Sequence, residues 1–298
     1  MRTDLRHHLR RATVVRFYHD RVSYYTDKTP ITKMLWETRL RQRPLADEGT
    51  MTSTSGIRPA EASLQRITYD FSSDASLRHL YTDSKSHVLV GKLLEDLDAL
   101  AGNVAFLHCH QDPLSTSLLS LVTATVEKIR VLRAIPASQD LVMEGKVIWV
   151  GKSSLDILIE LLAADRSCSY LSSIFTYVAR DRATNKAVEV NRLLVSQQED
   201  HALFEERERA AKQRKRPKEP LADICKERVQ RSLDTGNALL DMPALGQPSH
   251  VLMRLTSLEN SLICQPQNSN TAGRVFGGFL SKNRRNSHRR SDNHFLSA

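Results

Sequence analysis

Asp98 is the side chain through which this chain could move a proton. It lies in the run GKLLEDLDALAGNVAFLHC, residues 91–109, where Leu93, Leu97, Ala101 and Val104 recur at helical spacing and would bury one face. A carboxylate on such a helix can accept a proton from water, given space for a reactant beside it. The small Ala101 and Gly102 lie one turn further on and would leave that space. Taken alone, a helical aspartate is also what a solvated or capping group looks like. Asp96, two residues away, is offset to roughly the opposite face, which assigns it to solvent. His108 and His110 flank Cys109 and raise metal or nucleophile chemistry. A zinc site needs three or four ligands and adjacent residues point in different directions, so a structural role at the helix end is the better reading. No serine stands in a Gly-x-Ser-x-Gly elbow, which argues against that route to hydrolysis.

A helix of this kind needs a sheet to bury against, and strand patterns follow it. Residues 123–132 are rich in β-branched side chains and stop before Pro136. In residues 141–150, Leu141, Met143, Val147 and Trp149 alternate with Glu144 and Lys146, which places the four apolar residues on one face. Leu155, Ile157, Ile159 and Leu161 then alternate with Asp156 and Glu160, predicting the partner strand of a hairpin across 151–153. Two more strands fit 169–179 and 187–195. Residues 197–218 read as a charged, solvated helix ending at Pro217. A new strand is expected at 251–258 and a second helix opening at Gly277-Gly278. After Leu280 the sequence SKNRRNSHRRSDNHFLSA has no apolar period with which to continue a core helix.

The chain has 298 residues, enough for two domains of roughly 100 to 150 residues each. No apolar stretch approaches the roughly 18 to 20 residues of a membrane span. Cys109, Cys168, Cys225 and Cys264 form no CxxC pair, so neither a zinc knuckle nor a disulfide framework is indicated. The formal charge of +9 gathers in the N-terminus, in 212–218 and in 282–290, outside the strand-rich region. The arginine-rich, acid-poor N-terminus suits a mitochondrial presequence, with a basic extension as the alternative. The basic runs lack interleaved aromatics and belong to no nucleic-acid-binding motif, so no specific nucleic acid is expected.

The 91–109 helix has the form Gly-x6-Asp-x2-Ala-Gly-x5-His-Cys, and NTAGRVFGGFL at 270–280 has the form Asn-x2-Gly-x3-Gly-Gly. In that order the two motifs resemble the tandem-hotdog acyl-CoA thioesterases, and RITYDFSSDASLRHLY, VMEGKVIWVGKSS and LENSLICQPQ are similar to its mitochondrial branch. The resemblance runs from about Lys28 to Leu280. It implies an α+β hotdog fold, a long helix wrapped by an antiparallel sheet, with one complete domain and an incomplete second. The corresponding division is a basic extension at 1–27, a lead-in at 28–84, the first hotdog at 85–196, a charged linker at 197–247, and a truncated second hotdog with a basic tail at 248–298.

The resemblance further implies hydrolysis of fatty acyl-CoA without cofactor or metal. Asp98 would activate water, Asn270 would orient that water or the carbonyl, and Gly277 and Gly278 would offer bare backbone N–H groups to the thioester oxygen. The site would lie at a seam between two hotdog domains. The expected partners are the acyl-CoA substrate and further copies of the chain through hotdog pairing. The expected location is mitochondrial, with the cytoplasm as alternative. Because the second domain lacks about 100 residues of helix and strands, low turnover is expected unless another chain completes the seam. The rival readings are a non-catalytic acyl-CoA-binding or interaction module and a nucleic-acid-associated protein.

Overall fold

Helix α1 (Pro30–Arg41) starts where its sequence provides a cap: the Thr32 amide donates to Thr29 Oγ1 at 3.1 Å and proline occupies the first helical position. The computed structural model describes residues 28–41, 56–109, 119–195, 198–215, 223–242, 244, 259, 261–270 and 273–283. The presequence region, His110, the strand expected at 251–258 and the tail beyond 283 lie outside them. After α1 come β1 (Ile57–Pro59), a 3-10 turn (Ala60–Ser63), β2 (Gln65–Tyr69), α2 (Ala75–Tyr81) and α3 (Val90–Cys109). Asp74 caps α2 by accepting the Leu77 amide at 2.8 Å.

Strands β3 (Leu119–Val131), β4 (Leu141–Val150), β5 (Ser154–Ala163) and β6 (Ser169–Asp181) join β2 in a five-stranded sheet of order β2-β4-β5-β6-β3, antiparallel throughout. Leu155, Ile157, Ile159 and Leu161 turn inward from β5 onto α3, as their alternation predicts. β4 departs from its expected pattern. A bulge separates the pairs Val147–Ile157 and Trp149–Asp156, so the phase shifts by one residue. Val147 and Val150 pack on the core, whereas Ile148 and Trp149, both buried, stand outside the core cluster. Only Arg192–Leu194 (β7) of the strand expected at 187–195 forms, pairing in parallel with β1, while Ala187 makes an isolated bridge to Arg180.

One long helix crossed by this sheet is the hotdog arrangement. The helix is more enclosed than its sequence predicts: apart from Val90, Lys92 and Leu107, every residue of α3 is buried. Leu93, Leu97, Leu100 and Val104 face a core with β4 to β6, each large side chain being worth roughly 1.5–3 kcal/mol. The polar face, expected in solvent, is covered by α1 and α2 and by residues 276–282. Asn103 Nδ2 donates to the Leu35 carbonyl of α1 at 3.0 Å. Asp96, assigned to solvent on its offset, is fully buried. Its Oδ1 accepts Thr29 and Thr32 (2.8 Å for the latter) and its Oδ2 accepts Tyr81 (2.6 Å) and Tyr69 (3.0 Å). Four hydroxyl donors replace the water the carboxylate gives up, which is how a charge comes to lie in a core.

Helix α4 (Gln198–Lys215) matches the charged helix expected there, and Arg207 anchors it on the sheet. Arg207, 1% exposed, reaches Asp156 at 2.7 Å and Glu127 at 3.0 Å. The described residues through Arg207, with those from Ile263 onward, form one compact unit. The second unit includes α5 (Asp223–Asp241), whose Val229, Leu233 and Leu240 are exposed. In the first unit a short helix, α6, occupies 277–283, so the glycine pair does open a helix and that helix runs past Leu280.

Candidate active site

Asp98 lies on the third turn of α3, 4% exposed, where β3, β6, α1 and α6 meet. Thr123 of β3 and Tyr177 of β6 stand directly opposite each other in the ladder, beside a bulge at Ala124. A bulge bends its strand locally, and both hydroxyls reach one carboxylate oxygen. Thr123 Oγ1 lies 3.0 Å and Tyr177 Oη 3.1 Å from Asp98 Oδ1, and the tyrosine also lies 3.0 Å from the Asp98 carbonyl. The other oxygen, Oδ2, accepts the Gly278 amide at 2.9 Å. A Cβ on Gly277 would stand 3.0 Å from Oδ2, and one on Gly278 would stand 2.9 Å from the Glu95 Cα. The backbone can approach the helix this closely only because both residues lack a side chain.

A carboxylate has about four lone-pair directions. Asp98 uses two on Oδ1 and one on Oδ2, which leaves one position on Oδ2 for a further donor such as water. Burial pushes its carboxyl above the usual aspartate range, and the Gly278 amide, the Thr123 and Tyr177 hydroxyls and the Arg39 guanidinium draw it back. Tyr177 is held far above its ordinary value, first by burial and then by the Asp98 charge, and so remains a protonated donor.

The space expected beside Ala101 and Gly102 is filled. A Cβ on Gly102 would come within 2.9 Å of Arg39 Nη1 and 3.3 Å of Tyr177 Oη. The small residue admits the guanidinium of α1, which lies 5.7 Å from the Phe106 ring centroid. Asn270 occupies a tight loop ahead of α6. Its amide donates to the Arg274 carbonyl at 2.6 Å, its Oδ1 accepts the Arg274 amide at 3.1 Å, and Gly273 closes the turn with φ of 78°. A bridge between Ser269 and Val275 and a bond from the Phe276 amide to the Asn268 carbonyl carry that loop into α6. Gly277 and Gly278 are thus brought onto Asp98, whereas the Asn270 side chain braces its own turn.

At the far end of α3, His108 Nε2 lies 3.0 Å from the Asn191 carbonyl, and Asn191 donates back to the His108 carbonyl at 2.7 Å. Burial pushes the Cys109 thiol up to about 12, so it is no nucleophile. Among the described residues no group of three or more histidine, cysteine or acidic side chains could hold a metal ion. Thr123 and Tyr177 escaped the sequence reading. The available signal was parity: Thr123 shares the inward register of Leu119 and Leu121, where a polar residue needs a partner.

The chain is 41% identical to acyl-coenzyme A thioesterase 2, chloroplastic, of Humulus lupulus over 267 residues, covering 85% of this chain and 61% of that protein. It is 39% identical to acyl-coenzyme A thioesterase 4, mitochondrial, of the same plant, over 85% of this chain and 51% of that one. The chain therefore spans about half to three fifths of the length of these curated relatives. A solved acyl-CoA hydrolase from Staphylococcus aureus aligns over 61% of this chain and 99% of its own, at 16% identity and a TM-score of 0.45. No family model matches.

Proposed function

We propose that this chain, which belongs to the acyl-CoA thioesterase family, hydrolyses fatty acyl-CoA to the free acid and coenzyme A. The carboxylate of Asp98 takes a proton from water as the water oxygen bonds to the thioester carbonyl carbon. The carbonyl electrons move to oxygen, and their return breaks the C–S bond and expels the coenzyme A thiolate, which regains a proton. Gly277 presents bare backbone to the thioester oxygen while the Gly278 amide holds Asp98, and Asn270 orients the water or the carbonyl from the loop ahead of them. The observation that carries this reading is the acceptor position left on Asp98 Oδ2, on a carboxylate that accepts three donors and faces the glycine pair.

Residues 248–298 are read as the opening of a second hotdog domain, and further copies of the chain supply the pairing such domains use. The chain acts in an organelle, the mitochondrion in our reading, as the names of both plant relatives place those proteins in organelles. The test is release of free thiol from fatty acyl-CoA by the purified protein, together with calorimetric binding of a non-hydrolysable thioether analogue. Asp98→Asn is expected to lower kcat by about 10²- to 10⁴-fold, the usual worth of a general base, with analogue binding little changed. Tight analogue binding with no thiol release from the unaltered chain would instead make it an acyl-CoA-binding module.

A further inference from the structure

The mechanism so far uses only one acid of α3, yet a second one is spent on the same contact. Glu95 lies one turn before Asp98 on the same face, with its side chain fully buried. Two lysines from distant parts of the chain converge on it. Lys28 Nζ, ahead of α1, lies 3.3 Å from Oε1 with 1% of its side chain exposed. Lys282 Nζ, on α6, lies 3.0 Å from Oε2 and is 23% exposed. The Lys28 ammonium also sits 5.3 Å from the ring centroid of Phe276 and 5.4 Å from that of Phe279, and Phe276 meets Trp36 of α1 edge-on at 4.8 Å. Between these ends, Gly278 rests against the Glu95 Cα and donates to Asp98.

From this geometry we infer that Glu95, with Lys28 and Lys282, is a positioning cluster that holds the Gly277–Gly278 backbone on Asp98. Lys28 and Lys282 tie 276–282 to α3 through Glu95, and the Phe276 and Phe279 rings hold the same segment against Lys28 and Trp36. Without the cluster α6 can slide or fray and the Gly278 amide leaves Oδ2. Asp98 then loses one of its three donors, while the Thr123 and Tyr177 hydroxyls and the nearby Arg39 charge remain. This inference rests on the thioesterase reading for its consequence in catalysis but not for its geometry.

The experiment follows the Gly278 amide by hydrogen exchange in the full chain, in Glu95→Gln and in Lys282→Ala, with β5 amides as the control. Lys282 is partly exposed, so its variant folds even if the Glu95 variant does not. Both are expected to speed Gly278 exchange by about tenfold or more, as loss of a charge-assisted contact allows, with β5 protection unchanged and with rescue in Lys282→Arg. In turnover, kcat falls more than KM rises, and the acidic limb of kcat/KM moves to higher pH. Gly278 protection equal to that of the unaltered protein in the folded variants overturns the inference. The two claims fail separately: no thiol release from the unaltered chain sinks the thioesterase reading, and full turnover in Asp98→Asn removes Asp98 as the base, while either leaves the exchange result standing.

Discussion

Two aspartates two residues apart on α3 are both buried, and their partners give them different work. Asp96 has all four acceptor positions filled by Thr29, Thr32, Tyr69 and Tyr81. It has no room for water and serves to tie α1, β2 and α2 to the helix. Burial raises its carboxyl to about 6, against the pull of the four hydroxyls. A carboxyl whose folded value lies above its unfolded one binds protons more tightly when folded, so its contribution to stability improves as pH falls from about 7 towards 4. The unaltered protein is therefore expected to gain stability relative to Asp96→Asn over that range in denaturant titrations, and the ¹³C resonance of the Asp96 carboxyl to titrate near 6. A pH-independent difference would show that Asp96 is not the group responsible. Asp98 keeps one position open, and Tyr177→Phe removes a donor that favours its charge. The acidic limb of kcat/KM should then move to higher pH, and an unmoved limb would take Tyr177 out of the site.

At the scale of elements, the polar face of α3 explains what the sequence could and could not convey. The 3.6-residue period located the helix and the period of two located β4 and β5, because each pattern records burial against one face. Neither period records what covers the other face. Asp96 looked like a solvent-facing charge because its hydroxyl partners lie in α1, β2 and α2, 15 to 67 residues away. α1 was not expected, since the lead-in at 28–84 has little periodic pattern there to mark a helix. The β4 bulge moved Trp149 because the ladder, not the local alternation, sets the phase there. Two stability measurements belong at this scale. Leu97→Ala, at a site with no exposure, is expected to cost about 2–5 kcal/mol in chemical denaturation. Arg207→Met leaves the fully buried Asp156 without its cation and is expected to cost about 3–5 kcal/mol. A cost below about 1 kcal/mol would mean that α4 is held by other contacts.

For the whole molecule, the motifs at 91–109 and 270–280 were legible as a pair separated by well over a hundred residues, and Asp98 with Gly278 meets across that separation within one compact unit. The role expected of the glycine pair was as donors to substrate. In the structure the Gly278 amide instead holds the Asp98 carboxylate, a detail spacing cannot supply because it depends on how closely α6 seats on α3. Charge was the least informative property. Lys282, counted in the basic tail, is paired with the buried Glu95 rather than offered to an anionic partner. If pairing between copies completes the enzyme, specific activity should rise with protein concentration in step with the mass seen by sedimentation, whereas constant activity at monomer mass would contradict the pairing.

The central claim is that Asp98 delivers water to the thioester, and isotope transfer reads this step directly. Fatty acyl-CoA turned over in H₂¹⁸O should yield free acid carrying one solvent oxygen, with no burst of product ahead of the steady rate, and Asp98→Asn should slow the labelling by about 10²- to 10⁴-fold. Labelling by the folded variant at the rate of the unaltered chain would contradict the account.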